Sequence, residues 1–401
     1  MRIRVCLAAL AVACVLGAAA TALGANGLEP RLTKALTGTS LSLGKTAALA
    51  IDMSNGETIY AHNSDVPLAP ASNEKIPVSF AALTRLGTGY RFHTEVYGVG
   101  RRAGSAWDGD LVLKGFGDPT LASADIDRLA ATIRGRGIRS VTGRILGDET
   151  FYDSRRAVAG WKSTFLLRET PPLSALIVDR AQGWPALSPP LLAARALRDA
   201  LGRRGVVVAG RPGLGVAPAA ATTLASDTSD PLAGVVKHMN QESDNFYAEM
   251  LLKQLPAAAG QAGTSAGGGK IVIATMRAAG IPVAGVRIVD GSGLSSLDRL
   301  TAAALVGVLR AGATDPSIAR AFVDSLAVSG NSGTLGDRLP ALRGVVKGKT
   351  GTTNLACTLS GLIGAKIVFA VLQNGNPVPS WAARGAQDRF VTILATTTPI
   401  G

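Results

Sequence analysis

Residues 70–87 read PASNEKIPVSFAALTRLG, with a serine and a lysine three residues apart at the head of an apolar run. Phe80, Leu83 and Leu86 recur at helical spacing, so the run is expected to form a buried helix from about Ser72 onwards. On a helix, positions i and i+3 share a face, which lets Ser72 and Lys75 touch. Two readings follow. Either Ser72 caps the helix and Lys75 points into water, or burial or a nearby cation lowers the lysine pKa so that it can take the serine proton and make a nucleophile. Taken alone the pair favours the cap, because Ser42-Leu-Gly-Lys45 repeats the spacing just ahead of a strand.

Two other pieces shift the balance. Ser243-Asp244-Asn245 falls at a break inside helical sequence, where a hydroxyl and an amide on one face of a turn can reach a substrate amide and a neighbouring lysine. The polar-turn reading is equally good there, and Ser329-Gly330-Asn331 shows how readily the pattern recurs. Lys349-Thr350-Gly351 lies in GVVKGKTGTT, read as an edge strand. Lysine there can hold a carboxylate and threonine can add a hydrogen bond. Glycine lets a ligand lie against the backbone.

Working outward, Leu28–Leu36 reads as a short helix. GKTAALAIDMSNGETIYAHNSD reads as two strands joined at Ser54-Asn55-Gly56, since Asn-Gly supplies the positive φ angles of a tight hairpin. After Gly89 come short β-like pieces, with helices near 124–134 and in PLLAARALRDALGRRG. Residues 96–221 are therefore expected to be an inserted smaller α+β domain, closed by the linker VAPAAATTLASDTSD. The chain is then mainly helical from Pro231, and it ends in a strand pair and the helix SWAARGAQDRFVTILATT. Both ends should meet in one sheet with helices packed on it. The fold class expected is α/β (α+β), with residues 26–95 and 222–401 as the main domain.

The chain has 401 residues and 47% hydrophobic content, enough for two packed domains. Its start, MRIRVCLAALAVACVLGAAATALGA, has the three-part plan of a secretory signal peptide over residues 1–25. Cys6 and Cys14 fall within it, leaving Cys357 alone, so no intrachain disulfide can form in the mature chain. Losing Arg2 and Arg4 lowers the formal net charge from +13 to +11, still strongly basic. Such an exported protein is drawn to anionic surfaces, membrane headgroups or acidic wall polymers, so peripheral membrane contact stays open. Nucleic acid is disfavoured by export and by the lack of clustered Lys/Arg with interleaved aromatics. His62, His93 and His238 offer no zinc-ligand spacing, and no metal or cofactor is expected. Gly263-Thr-Ser265-Ala-Gly267 matches a nucleophile-elbow pattern, but no strand precedes it and no histidine follows His238.

Ser72-x-x-Lys75, Ser243-x-Asn245 and Lys349-Thr350-Gly351, in that order, are the signature of penicillin-recognising serine acyl enzymes. With GDLVLKGFGDPTL, MNQESDNFYAEMLLK, IVDGSGLS, SGNSGTLGDRL and KGKTG, the chain resembles the low-molecular-mass, class C penicillin-binding proteins from about residue 30 to its C-terminus. That family comprises D-alanyl-D-alanine carboxypeptidases and endopeptidases of the bacterial envelope. The gap of about 170 residues between Ser72 and Ser243 suits its inserted region. The resemblance implies a β-lactamase/transpeptidase-like domain, an antiparallel sheet with helices on both faces. It also implies peptidoglycan peptides as substrates, β-lactams as inhibitors and a periplasmic or extracytoplasmic location.

The roles implied are Ser72 as nucleophile, Lys75 as its base and Ser243 as proton relay. Asn245 would hold the substrate amide, and Lys349 and Thr350 the terminal carboxylate. Backbone N–H groups of Ser72 and Thr352 would form the oxyanion hole. Three departures stand out. Pro77 lies inside the first turns of the helix, where a local distortion is expected. Only AQGWPA separates landmarks between which the family often carries a third domain, so that domain is expected to be missing or vestigial. Ser296 follows DGSGLS where many members have an arginine, leaving Arg299, with Asp148, as candidates to line the cleft. The rivals are a β-lactamase and a penicillin-fold protein that binds peptidoglycan or a partner without turnover.

Overall fold

The computed structural model describes residues 27–38 and 41–397. The expected signal peptide lies outside the described residues. One six-stranded antiparallel sheet and one seven-stranded sheet organise the chain.

The first sheet is assembled from both ends of the sequence. Helix α1 (Leu28–Leu36) leads to strands β1 (Thr46–Asp52) and β2 (Thr58–His62), joined through Asn55-Gly56. Helix α2 (Lys75–Leu86) follows a 3-10 turn over Ala71–Glu74. Pro77 thus falls in the first turn of α2, where a missing N–H costs little, and the distortion expected there takes the form of the 3-10 entry.

The second sheet comes next in the chain. Its strands are β3 (His93–Ala103), β4 (Ala106–Gly115), β5 (Ser140–Val141) and β6 (Ile145–Asp148), with helices α3 (Ser123–Gly135) and α4 (Phe165–Arg168) between and after them. Helix α5 (Pro189–Arg203) and strands β7 (Val207–Val208), β8 (Gly213–Leu214) and β9 (Thr222–Thr228) complete it. β3 is antiparallel to β4 and β9, while β4 runs parallel to β5 and β6. Helices α3 and α5 bury Ile126, Leu129, Ile133, Leu197 and Leu201 against it. Residues 96 and 221, the expected edges of the insert, fall inside β3 and one residue before β9. The second sheet therefore spans His93 to Thr228.

The chain then returns through α6 (Leu232–Gln241), α7 (Asn245–Ala258), α8 (Ser265–Ala278), α9 (Ala302–Thr314) and α10 (Ala319–Ser325). It re-enters the first sheet as β10 (Ala327–Val328), β11 (Val346–Thr352), β12 (Ala356–Ile363) and β13 (Ile367–Asn374), and closes with α11 (Ser380–Thr397). The order is β10-β11-β12-β13-β1-β2. Alternation along β13 shows why this sheet takes helices on both faces. Val368, Ala370 and Leu372 meet the core built on α2 and α6–α9, while Ile367, Phe369 and Val371 meet the one built on α1 and α11. β10 pairs only with Lys347 and Gly348, so β11 is an open edge from Lys349 onward. None of the described helices is long and apolar enough to cross a membrane.

Candidate active site

The turn Ala71–Glu74 presents Ser72 at the edge of β11. It is fixed from below by β12: Thr358 Oγ1 donates to the Pro70 carbonyl at 2.9 Å, and the Asn73 side chain bonds both Thr358 and Ser360. Ala71 adopts φ +46°, a conformation that non-glycine residues hold only when the surroundings over-determine it. Gly351 makes the close approach feasible. A β-carbon there would stand 2.8 Å from the Ser72 nitrogen and 2.3 Å from Thr358 Oγ1.

Lys75 starts α2 and is fully buried. Its Nζ donates to Ser72 Oγ at 3.1 Å, Asn245 Oδ1 at 2.8 Å and the Ser292 carbonyl at 2.8 Å. Three acceptors use all three ammonium protons, so the group is oriented as well as paired. Burial pushes its pKa down to about 8, against the upward pull of Asp290, Glu249, Asp244 and Glu74. A lysine so placed is neutral often enough near pH 8 to act as a base.

Behind Lys75 lies a set of buried carboxyls. Glu249 Oε1 accepts from the Gly291 and Ser292 N–H groups at 2.9 and 2.8 Å, fixing the loop whose carbonyl holds Lys75. Asp290 accepts from Gly293 N, Ser295 N and Trp161 Nε1, each at 2.7 Å. Burial and mutual repulsion push Glu74, Glu249 and Asp298 well above the usual carboxyl range. Lys75 thus sits between burial, which lowers its pKa, and Asp290, Glu249 and Glu74, which pull it upward.

Ser243 sits between α6 and α7 at φ +58°. Asp244 caps α7, accepting from Tyr247 N at 3.1 Å, and is bonded also by Arg180 and by His238. This cap sets Asn245 in the first turn, its Nδ2 donating to the Glu169 carbonyl at 3.1 Å. Lys349 is fully buried and donates to Ser243 Oγ at 2.8 Å and to the Thr350 carbonyl at 3.0 Å. Burial, and then the like charge of Lys75, drive its pKa well below the ordinary lysine value.

Ser72, Ser243, Thr350, Gly351 and Thr352 line one cavity of about 450 Å³, which Arg384 and Arg338 also face. The structure thus brings together Ser72, Lys75, Ser243, Asn245, Lys349, Thr350, Gly351 and Thr352. Asp148 and Arg299 do not join them. Asp148 is an Asx turn in the second sheet, bonded to Thr150 and the Ala217 N–H and ion-paired with Lys114 at 3.2 Å. Arg299 donates through Nη1 to the carbonyls of Ser296 and Asp298 and does not line the cavity of Ser72. The acid is consumed by the turn that contains it and by Lys114, a bonding pattern that residue type alone does not reveal. A neighbouring cavity of about 570 Å³ is lined instead by Lys162, Arg168, Glu169 and Ser296.

Sequence reasoning missed Glu74, Glu249 and Asp290 as the surroundings of Lys75. Glu249 and Asp290 lie within NFYAEMLLK and IVDGSGLS, but nothing in their spacing shows that they converge.

Comparisons with known proteins bear on the family and the fold. The model of the D-Ala-D-Ala carboxypeptidase 3 (S13) family matches residues 28–190 and 185–397. A D-alanyl-D-alanine carboxypeptidase from an Actinomadura strain is 29% identical over 87% of this chain and 81% of its own. Carboxypeptidase DacB of Mycolicibacterium smegmatis is 30% identical, with 92% and 84% covered. Among solved structures, penicillin binding protein 4 (DacB) from Haemophilus influenzae superposes with a TM-score of 0.82 over 91% of this chain and 99% of its own, at 19% identity.

Proposed function

We propose that this chain, which belongs to the D-Ala-D-Ala carboxypeptidase 3 (S13) family, works through an acyl-enzyme on Ser72. The chain is a serine-type D-Ala-D-Ala carboxypeptidase, and its substrates are peptidoglycan stem peptides. The observation that carries the assignment of residues is the position of Lys75 Nζ, 3.1 Å from Ser72 Oγ and 2.8 Å from Asn245 Oδ1.

Neutral Lys75 takes the Ser72 proton as Oγ attacks the carbonyl carbon of the penultimate D-Ala. The oxyanion is held by the N–H groups of Ser72 and Thr352, where losing one donor typically costs ~10²–10³ in rate. As the C–N bond breaks, the leaving amine takes a proton through Ser243, which Lys349 orients at 2.8 Å. Asn245 holds the substrate amide, while Lys349 and Thr350 take the carboxylate of the departing D-Ala. Water then cleaves the ester and restores Ser72. The same steps cleave a cross-link when the leaving amine belongs to a second stem peptide. A β-lactam enters by the same route, but its amine stays tethered and obstructs the water.

The site belongs outside the cytoplasm, where wall peptides are, with residues 1–25 as the export signal. The second sheet, His93–Thr228, is the insert, the segments on either side of it form the catalytic domain, and the family's third domain is missing or vestigial.

The test is labelling of the purified mature protein with a fluorescent penicillin, peptide mapping and a Ser72→Ala control. A stable adduct on the Ser72 peptide, absent from the control, is expected. No adduct on folded protein would favour a binding protein without turnover, and rapid loss of label with penicillin consumed would favour a β-lactamase.

A further inference from the structure

We propose that Arg384 is the specificity-determining residue for the carboxylate of the leaving group, restricting this enzyme to substrates that end in a free acid at that position. The inference rests on the reading of Ser72 as nucleophile and extends it to a residue outside the three motifs.

The argument begins with what Lys349 can supply. Its ammonium is fully buried and already committed to Ser243 Oγ at 2.8 Å and the Thr350 carbonyl at 3.0 Å. Burial and the like charge of Lys75 also make it a reluctant cation. A carboxylate entering the cavity therefore shares this lysine with Ser243 and the Thr350 carbonyl. Arg384 differs in each respect. It projects from the first turns of α11 to the cavity wall shared by Ser72, Ser243, Thr350 and Thr352. It is exposed, and its guanidinium offers a planar fork of donors.

Arg384 is also uncommitted. Among the described residues it forms no ion pair, and its one side-chain hydrogen bond is from Nη2 to Thr352 Oγ1 at 3.3 Å. Arg338, the other arginine on this wall, is taken up by Asp388 at 2.6 Å. Asp337 is the one acidic side chain facing the cavity, and no ion pair joins it to Arg384. Thr350 and Thr352, two apart on β11, point to the same side of the strand. Both threonines and Arg384 line the same cavity, and a guanidinium there is a fork suited to bidentate recognition of a carboxylate.

The experiment compares diacetyl-L-Lys-D-Ala-D-Ala with its C-terminal amide, using wild type, Arg384→Gln and Arg384→Lys. For Arg384→Gln, kcat/KM on the acid is expected to fall roughly 10- to 100-fold, while kcat/KM on the amide stays within about twofold. Arg384→Lys should restore part of the loss, since it returns charge without the fork. An equal fall on both substrates, or no fall on the acid, would overturn the proposal. Penicillin labelling of Ser72 in the wild type separates the two readings. If Ser72 labels and the acid-to-amide ratio is unchanged in Arg384→Gln, only the role of Arg384 is wrong; if Ser72 does not label, the acyl-enzyme itself fails.

Discussion

Gly293 lies directly over Ala71: a β-carbon on it would stand 1.9 Å from the Ala71 carbonyl oxygen and 3.1 Å from the Ser72 nitrogen. Gly293 also has φ +80°, so a side chain would be strained even with room to spare. The loop after Asp290 thus presses on the turn that holds the nucleophile. Gly293→Ala should cost about 1–3 kcal/mol of stability through overpacking. It should also slow penicillin acylation of Ser72 in protein that still folds, because the backbone that must give way carries the nucleophile. Thermal denaturation and labelling rate together check this, and an unchanged labelling rate would show that the turn does not need the contact.

Lys75 must be neutral to accept a proton. With its pKa brought down to about 8 by burial, the acylation rate should rise with pH and level off above about that value. Because Glu249 pulls that pKa upward, Glu249→Gln should move the rising limb to lower pH. The amide oxygen can still accept from Gly291 and Ser292, so the loop need not shift. The measurement is the rate constant for benzylpenicillin acylation over a pH series. A rate that falls as pH rises through this range would place the base elsewhere.

How much of this was open to sequence reading depends on the range of each interaction. The Ser72–Lys75 pair is three residues apart and follows from helical spacing, and the hairpin at Asn55-Gly56 follows from turn chemistry. That both ends of the chain share one sheet follows from the order of elements, but the direct pairing of β1 with β13, Thr46 opposite Gln373, is a long-range contact that this order does not specify. The buried acids around Lys75 were not reachable in this way. Glu74, Glu249 and Asp290 come from three separate elements, and each looks in sequence like an ordinary surface charge. Arg384 was hidden likewise, on a helix whose polar positions give no sign of which faces the cavity. Asp148 shows the converse: an acid in a promising position whose oxygens are spent on its own turn.

Glu74 carries a cost that pH should expose. Its carboxyl is buried, and neither oxygen has a hydrogen-bond partner among the described residues. Burial, then Asp290 and Glu249, raise its pKa well above 4.5, so the folded state holds a proton that the unfolded chain releases. The stability this contributes is complete at low pH and is lost as pH rises from 4.5 towards the raised value. Glu74→Gln removes the titration, so its advantage over wild type should be near zero at acid pH. It should then grow by up to about 1.4 kcal/mol per pH unit. Paired denaturant titrations across that range check the trend, and a difference that does not change with pH would show Glu74 to be proton-free in the folded protein.

Trp161 ties the insert to the catalytic core by one bond, from its indole Nε1 to Asp290 Oδ2 at 2.7 Å. Asp290 is fully buried and its other oxygen accepts from Gly293 at 2.7 Å, so the carboxylate links the insert to the loop that covers the nucleophile turn. Trp161→Phe keeps most of the ring and removes only the donor. Leaving a buried carboxylate short of a partner should cost about 1–3 kcal/mol, read as a lower midpoint in denaturant. The acylation rate should fall as well, because Asp290 holds Gly293 against Ala71. A loss of stability with full acylation would instead mean that the bond anchors the insert without bearing on Ser72, and an unchanged midpoint would mean that water replaces the indole.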